Sequence, residues 1–205
     1  LIEFNMFDTI CHEHAEYYST QVLINMFEKN SLKLIDINQT NINGRSKQYL
    51  LTKSNSKIKV NNKKIKKFID HEKKLKLGDY STYKNFFKKI NVLKMKLNIF
   101  IDKQIKLNKI IHGYGASTKG NTLLQFYKIN HKKIKYIADR NPDKFGLKTP
   151  GTNIEIISEK TSRSCNPDYY LVLPWHFKDE ILKRENKIRK KGTKFIFPLP
   201  SIKIY

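Results

Sequence analysis

Gly113-Tyr-Gly-Ala-Ser-Thr-Lys-Gly120 follows the apolar run Lys109-Ile-Ile-His112 and leads into an amphipathic stretch that ends at Tyr127. Residues 109 to 115 read as a short strand closing in a glycine turn, and 119 to 127 as the helix that leaves it. A strand that turns on glycine into a helix is where a Rossmann-type sheet presents a phosphate-binding loop. The first amides of such a helix carry partial positive charge and point at whatever sits above the turn. Outward from this stretch, Ile134-Lys-Tyr-Ile-Ala-Asp139, Ile154 to Ile157, Tyr169 to Leu173 and Lys194-Phe-Ile-Phe-Pro198 are further strands, and His176 to Lys190 is a helix. Short apolar runs alternating with helices predict an α/β fold, a Rossmann-like, mostly parallel sheet with helices on both faces.

Toward the N-terminus the period changes. Apolar residues recur at helical spacing from Asn62 to Leu77 and from Tyr80 to Leu107, the second run carrying Tyr83, Phe86, Phe87, Ile90, Leu93, Leu97, Phe100, Ile101 and Ile105. These stripes predict core-facing helices, with the intervening lysines forming a solvated face. Further back, Ser19 is an N-cap for a helix over Thr20 to Lys29, with Asn30 as a left-handed stop. Leu32 to Ile37 and Ser46 to Thr52 read as an antiparallel edge joined by a turn at Asn41-Ile-Asn-Gly44, and residues 1 to 11 as extended. The polar, Ser/Asn-rich residues 54–61 form a linker. The expected division is 1–53 as part of a second Rossmann-type domain, 54–61 as linker, 62–107 as a helical connection and 108–205 as the main α/β domain.

The 205 residues carry a formal charge of +23, yet lysine outnumbers arginine 36 to five and is spread along the whole chain. Recognition of nucleic acid favours Arg clustered with aromatics on one face, so the charge predicts nonspecific attraction to polyanions rather than a specific nucleic-acid partner. No apolar run approaches the roughly 18 to 20 residues that a membrane span needs. Cys11 and Cys165 give neither a disulfide framework nor a four-thiolate zinc site, which points to a reducing, cytoplasmic setting. The first residue is Leu1, and Glu3, Asp8 and Glu13 occupy the stretch where a signal peptide would be basic and then apolar. The chain is read as the inside of a longer protein.

Two motifs carry chemistry. At the glycine loop, Thr118 stands at the third glycine of G-x-G-x-x-G, and Lys119 precedes Gly120 where a P-loop needs lysine after its glycine, so neither a standard NAD site nor a kinase-like NTP site follows. Asp139 ends the next strand, 24 residues after Gly115, near the offset at which a carboxylate meets a ribose hydroxyl. A nucleotide or diphosphate ligand, an NAD(P)-dependent oxidoreductase, and a tight turn with no ligand are the readings left open, beside a basic nucleic-acid-binding module. The second motif is Asp8-Thr-Ile-Cys-His-Glu-His14. If extended, it places His12 and His14 on one side and Glu13 on the other. The neighbourhood lacks a third and fourth metal ligand, and Glu16 occupies the second histidine position of H-E-x-x-H, so no metal is assigned. Two histidines flanking a glutamate suit proton transfer near neutral pH, His14 before His12.

Taken together and in order, Phe7-Asp-Thr-Ile-Cys-His-Glu-His14 with Tyr17-Tyr18-Ser19, Gly113-Tyr-Gly-Ala-Ser-Thr-Lys-Gly-Asn-Thr122, Ala138-Asp-Arg-Asn-Pro-Asp-Lys144, Thr149-Pro-Gly-Thr152 and Leu173-Pro-Trp-His-Phe177 resemble the S-adenosylmethionine-dependent sugar C-methyltransferases over nearly the whole chain. The resemblance implies methylation of a carbon next to a ketone on a deoxysugar carried by a nucleoside diphosphate, through an enolate formed by a base. It implies His14 as that base, with Glu13 orienting it or the substrate and His12 beside them. It further implies Gly113, Gly115, Ala116, Ser117, Thr118 and Lys119 around the diphosphate, and Asp139 or Lys144 near the nucleoside. In such enzymes a zinc-binding cysteine quartet and the S-adenosylmethionine loop precede the part represented here. Both would lie upstream of Leu1, and the chain alone would be inactive. The family commonly carries a tyrosine where this chain has Cys11, a smaller and weaker donor. Trp175 is expected to pack and His176 to cap the helix after it, while the Pro150-Gly151 and Pro174-Trp175-His176 turns are expected at ligand-binding strand ends.

Overall fold

The computed structural model describes residues 1–40 and 46–205, so the turn expected at Asn41-Ile-Asn-Gly44 lies outside the described residues. The chain divides into two compact units, Leu1–His14 with Asn85–Tyr205, and Ala15–Lys84.

In the smaller unit the Ser19 hydroxyl accepts the Val22 amide and starts α1 (Thr20–Lys29). The left-handed residue that ends this helix is Ser31 (φ 56°) and not Asn30, because the Asn30 side chain donates back to the Met26 carbonyl and holds Asn30 at φ −105°. Strands β1 (Leu32–Gln39) and β2 (Lys47–Lys53) pair antiparallel, with Leu32 opposite Lys53 and Gln39 opposite Lys47. Asn61 caps α2 (Asn62–Lys74), which ends one turn earlier than its apolar pattern suggests and packs Ile65, Phe68 and Ile69 on Leu34 and Ile37. Glu72 on α2 accepts from the Thr20 amide, the Thr20 hydroxyl and the Lys47 ammonium at 2.6–2.7 Å, satisfying a buried helix start with one carboxylate.

Helix α3 (Tyr80–Lys106) runs from the smaller unit into the larger one. Its Phe86, Ile90, Leu97 and Ile101 are buried in the larger unit's core, and Leu93, Phe100 and Ile105 pack partly buried beside them. Phe87, part of the same sequence stripe, is 58% exposed, because the stripe is wider than the seam the sheet covers. The sheet is built from β3 (Ile111–Tyr114), β4 (Tyr136–Asp139), β5 (Glu155–Ser158), β6 (Tyr169–Val172), β7 (Lys194–Phe197) and β8 (Lys203–Ile204). Their order is β5-β4-β3-β6-β7-β8, parallel except for β8. This is the doubly wound arrangement: the chain steps outward from β3 to β5, then returns to the other side of β3. All four residues of β3 are buried, as a central parallel strand requires. Gly113 is needed here, since a Cβ would stand 2.6 Å from Ile137 Cγ1. The helices between the strands are α4 (Thr118–Tyr127), α5 (Glu159–Ser164), α6 (Lys178–Arg184) and α7 (Asn186–Arg189), giving a Rossmann-like α/β unit. Among the described residues no helix is long and apolar enough to cross a membrane.

Two more local expectations change, and one helix appears that no expectation covered. Residues 1 to 11 are not extended but form two single 3-10 turns, Ile2–Phe4 and Phe7–Thr9, which fold Phe7 onto Phe126 and Tyr127 at ring distances of 4.8 and 5.0 Å. The helix expected over His176 to Lys190 is a 3-10 turn (Trp175–Phe177), α6 and α7. It breaks at Glu185, whose buried carboxylate accepts from the Tyr114 hydroxyl at 2.7 Å and the Arg163 guanidinium at 2.8 Å. Helix α5 has no apolar period to reveal it and is started by the Ser158 hydroxyl, which accepts the Thr161 amide.

His112 on β3 is 3% exposed, its Nδ1 2.8 Å from the Ser162 hydroxyl, which in turn meets the Tyr170 hydroxyl at 2.9 Å. Burial, reinforced by Lys135, lowers its pKa to about 4. Burial and then Lys119 lower His176 to about 4 as well. Unfolded, both take a proton near pH 6.5, so the unfolded chain binds more protons than the native one between about pH 6.5 and 4. This contribution to stability is complete above that window and is lost as pH falls through it. Urea denaturation at stepped pH will show the decline, and His112→Leu will make it shallower.

Candidate functional site

Gly115 begins the loop between β3 and α4 at φ +80°, and a Cβ there would lie 2.7 Å from Pro174 Cδ. The Ser117 hydroxyl accepts the Gly120 amide at 3.1 Å and caps α4. Asp139, at the end of β4, closes the loop: one carboxylate oxygen accepts the Ala116 amide at 2.7 Å and the other the Asn141 amide at 2.8 Å. Lys144 donates to the Ala116 carbonyl at 2.7 Å and stands 3.9 Å from Asp139.

These contacts shape a cleft of about 400 Å³ beyond the carboxyl ends of the strands, where the strand order reverses around β3. One wall is Gly115, Ala116 and Ser117, another Asp139, Arg140, Asn141 and Lys144, and the far side Glu159, Pro174, Phe177, Glu180, Ile181 and Arg184. Three cations face the cleft, and Phe177, 44% exposed, offers a ring. Arg184 is oriented by Glu159 at 2.6 Å, by Glu185 at 3.1 Å and by the Tyr114 hydroxyl. Burial raises the Glu159 carboxyl, with the Arg163 guanidinium opposing. The cleft can hold an anion beside a planar group, and it contains no paired nucleophile and base.

The histidine motif is a turn rather than a strand end: the His14 amide donates to the Cys11 carbonyl at 3.0 Å, so His12 and His14 do not share a face through strand alternation. His14 Nδ1 lies 2.7 Å from the Thr9 carbonyl and 3.6 Å from Cys11 Sγ. A carbonyl only accepts, so Nδ1 carries the proton and Nε2 is the basic nitrogen of the neutral ring. His12, Glu13 and His14 are exposed, and the Glu13 carboxylate accepts the Thr118 hydroxyl at 3.0 Å.

The glycine-loop residues therefore separate. Gly115, Ala116, Ser117, Asp139 and Lys144 surround the cleft, whereas Gly113 is buried in β3. Thr118 bonds to the histidine turn, and the Lys119 charge acts on Asp8 and His176. Trp175 packs as expected but also donates its indole N–H to Asp8 at 2.8 Å. His176 does not cap α6: its Nδ1 is buried without a hydrogen-bond partner, and the N-cap position belongs to Phe177. Pro150-Gly151 precedes β5, at the amino ends of the strands, and is tied to Gln125 of α4 at 2.9 Å, away from the cleft. Sequence reasoning missed Arg140, Arg184, Glu159, Phe177 and Asp8. A usable signal was the rarity of arginine: two of the five line the cleft and Arg163 braces it. Among the described residues no group of three or more His, Cys, Asp or Glu could hold a metal ion. Gly115→Ala must strain both φ and the Pro174 contact, and will lower unfolding free energy by about 1–3 kcal/mol in urea titrations.

Residues 41–200 match the family described as C-methyltransferase C-terminal domain. The C-methyltransferase NovU of Streptomyces niveus is 28% identical over 204 residues, an alignment covering all of this chain and 48% of NovU. The chain thus spans about half the length of that curated relative. With the family match running through the glycine loop, the cleft and all five parallel strands of the sheet, the chain belongs to the C-methyltransferase C-terminal domain family.

Proposed function

We propose that this chain supplies the nucleotide-sugar cleft and the catalytic base of a cytoplasmic, S-adenosylmethionine-dependent C-methyltransferase acting on a nucleoside-diphosphate-linked keto-deoxysugar. In this reading residues 1–53 close the methyltransferase domain, 62–107 form the helical connection and 108–205 bind the sugar nucleotide. The observation that carries it is the Glu13–Thr118 bond, which sets the histidine turn against the start of α4 in the same unit as the cationic cleft.

Arg140, Lys144 and Arg184, beside the start of α4, suit the two negative charges of a diphosphate. Phe177 suits the face of a base. The same cations disfavour a sulfonium: Asp139 is engaged by loop amides and Glu159 by Arg163 and Arg184, which leaves the exposed Glu180 as the lining carboxylate set against three cations. The cleft residues therefore do not fit S-adenosylmethionine, which supplies the methyl group from a site we place outside them, upstream of Leu1 with any structural zinc. His14 Nε2 takes the proton from the carbon next to the ketone, and the C–H electron pair spreads onto the ketone oxygen as an enolate. Glu13, held by Thr118, fixes the height of the turn above the loop, and His12 flanks it. The free thiols Cys11 and Cys165 agree with a reducing compartment.

In the intact protein, His14→Asn will lower turnover by about 10²–10⁴-fold, the usual worth of a general base, with sugar-nucleotide affinity nearly unchanged in a direct binding titration. Unchanged turnover would remove His14 from the mechanism.

A further inference from the structure

Trp175 is the single tryptophan of the chain and is 8% exposed. Its indole N–H is given to the Asp8 carboxylate, which is 1% exposed and whose second oxygen has no hydrogen-bond partner. Burial pushes the Asp8 carboxyl up, against the opposing Lys119 charge. A buried carboxylate whose side-chain hydrogen bond comes from a neutral indole is a costly fastening, and an apolar pair would hold the segment more cheaply. What the hydrogen bond adds is direction.

Both partners sit where direction matters. Asp8 adjoins Thr9, whose carbonyl holds His14 Nδ1, and Phe7 on its other side is already clamped by Phe126 and Tyr127. Beyond Asp8 the chain surfaces, with Ile10 50% exposed. Trp175 follows Pro174, which lies against Gly115 and lines the cleft, and precedes Phe177 across the same cleft by two residues. One hydrogen bond thus joins the loop that walls the cleft to the residue next to the carbonyl that orients the base.

We propose that Asp8 and Trp175 are positioning residues for the catalytic turn: their hydrogen bond sets where the Thr9 carbonyl, and through it the His14 imidazole, stands relative to the cleft. This rests on the reading of His14 as base. In the intact protein with a nucleoside-diphosphate-linked keto-deoxysugar, Trp175→Phe and Asp8→Leu will each lower kcat by about 10- to 100-fold with KM within about twofold. Asp8→Asn, whose amide oxygen still accepts from the indole, will return kcat to within about threefold of the parent. In ¹H–¹⁵N spectra the Trp175 indole resonance will shift in Asp8→Leu, and the backbone amides of residues 11 to 14 will shift in Trp175→Phe and stay in place in Asp8→Asn. Unmoved turn amides and an unchanged kcat in Trp175→Phe would overturn the proposal, as would a kcat loss that only follows the folded fraction. His14→Asn separates the two claims: if it leaves turnover intact the base reading falls, while the spectra still decide whether the pair holds the turn.

Discussion

Both oxygens of the Asp139 carboxylate are held by backbone amides, one from Ala116 in the glycine loop and one from Asn141 just beyond β4. That pair of bonds ties the ends of the neighbouring strands β3 and β4 into one edge. Gly115 can then turn at positive φ against Pro174, Ser117 can cap α4, and Lys144 can reach the Ala116 carbonyl. Asp139 thus fixes the loop backbone with two charge-assisted bonds, while the close helix–strand packing that a third glycine allows in G-x-G-x-x-G turns falls here to Gly120, where a Cβ would stand 2.8 Å from Leu173 Cβ.

The loop therefore serves two neighbours. Its first half walls the cationic cleft, and its second half, through Thr118 and Lys119, meets Glu13 and the buried Asp8. Segment 1–14 packs against the α/β unit by burying Met6, Phe7 and Asp8, and leaves the histidine turn exposed. Apolar contact supplies the hold, and a few directional bonds from Asn5 to the Pro200 carbonyl, from Trp175 to Asp8 and from Thr118 to Glu13 supply the alignment. Electrostatics follows the same division: most described lysines are solvated at the surface, while Arg163 and Arg184 are braced by Glu159 and Glu185 at the cleft.

The strands, the order of helix and strand, and the glycine turn were legible because each is a local pattern: buried parallel strands are short apolar runs, and a capping hydroxyl such as Ser19 marks a helix start. Less legible was anything that depends on a partner far along the chain. Glu185 breaks a helix because Tyr114 and Arg163 need its carboxylate indoors. Residues 1–11 curl into 3-10 turns because Phe7 is drawn onto Phe126 and Tyr127. His176 is no cap because the 3-10 turn at Trp175–Phe177 puts Phe177, which has no capping side chain, at the N-cap position.

The amino-acid sequence by itself determined the α/β class, the loop at Gly113 to Gly120 and the identity of the histidine motif, since period, glycine and side-chain chemistry act over a few residues. Only the tertiary structure decided which loop residues face the cleft and which face the histidine turn, that Arg140 and Arg184 complete the cationic wall, and that Asp8 answers to Trp175. These pairings join residues as much as 167 positions apart. They follow from how the sheet orders its strands, which is settled by the burial of the whole core and not by any one stretch of it.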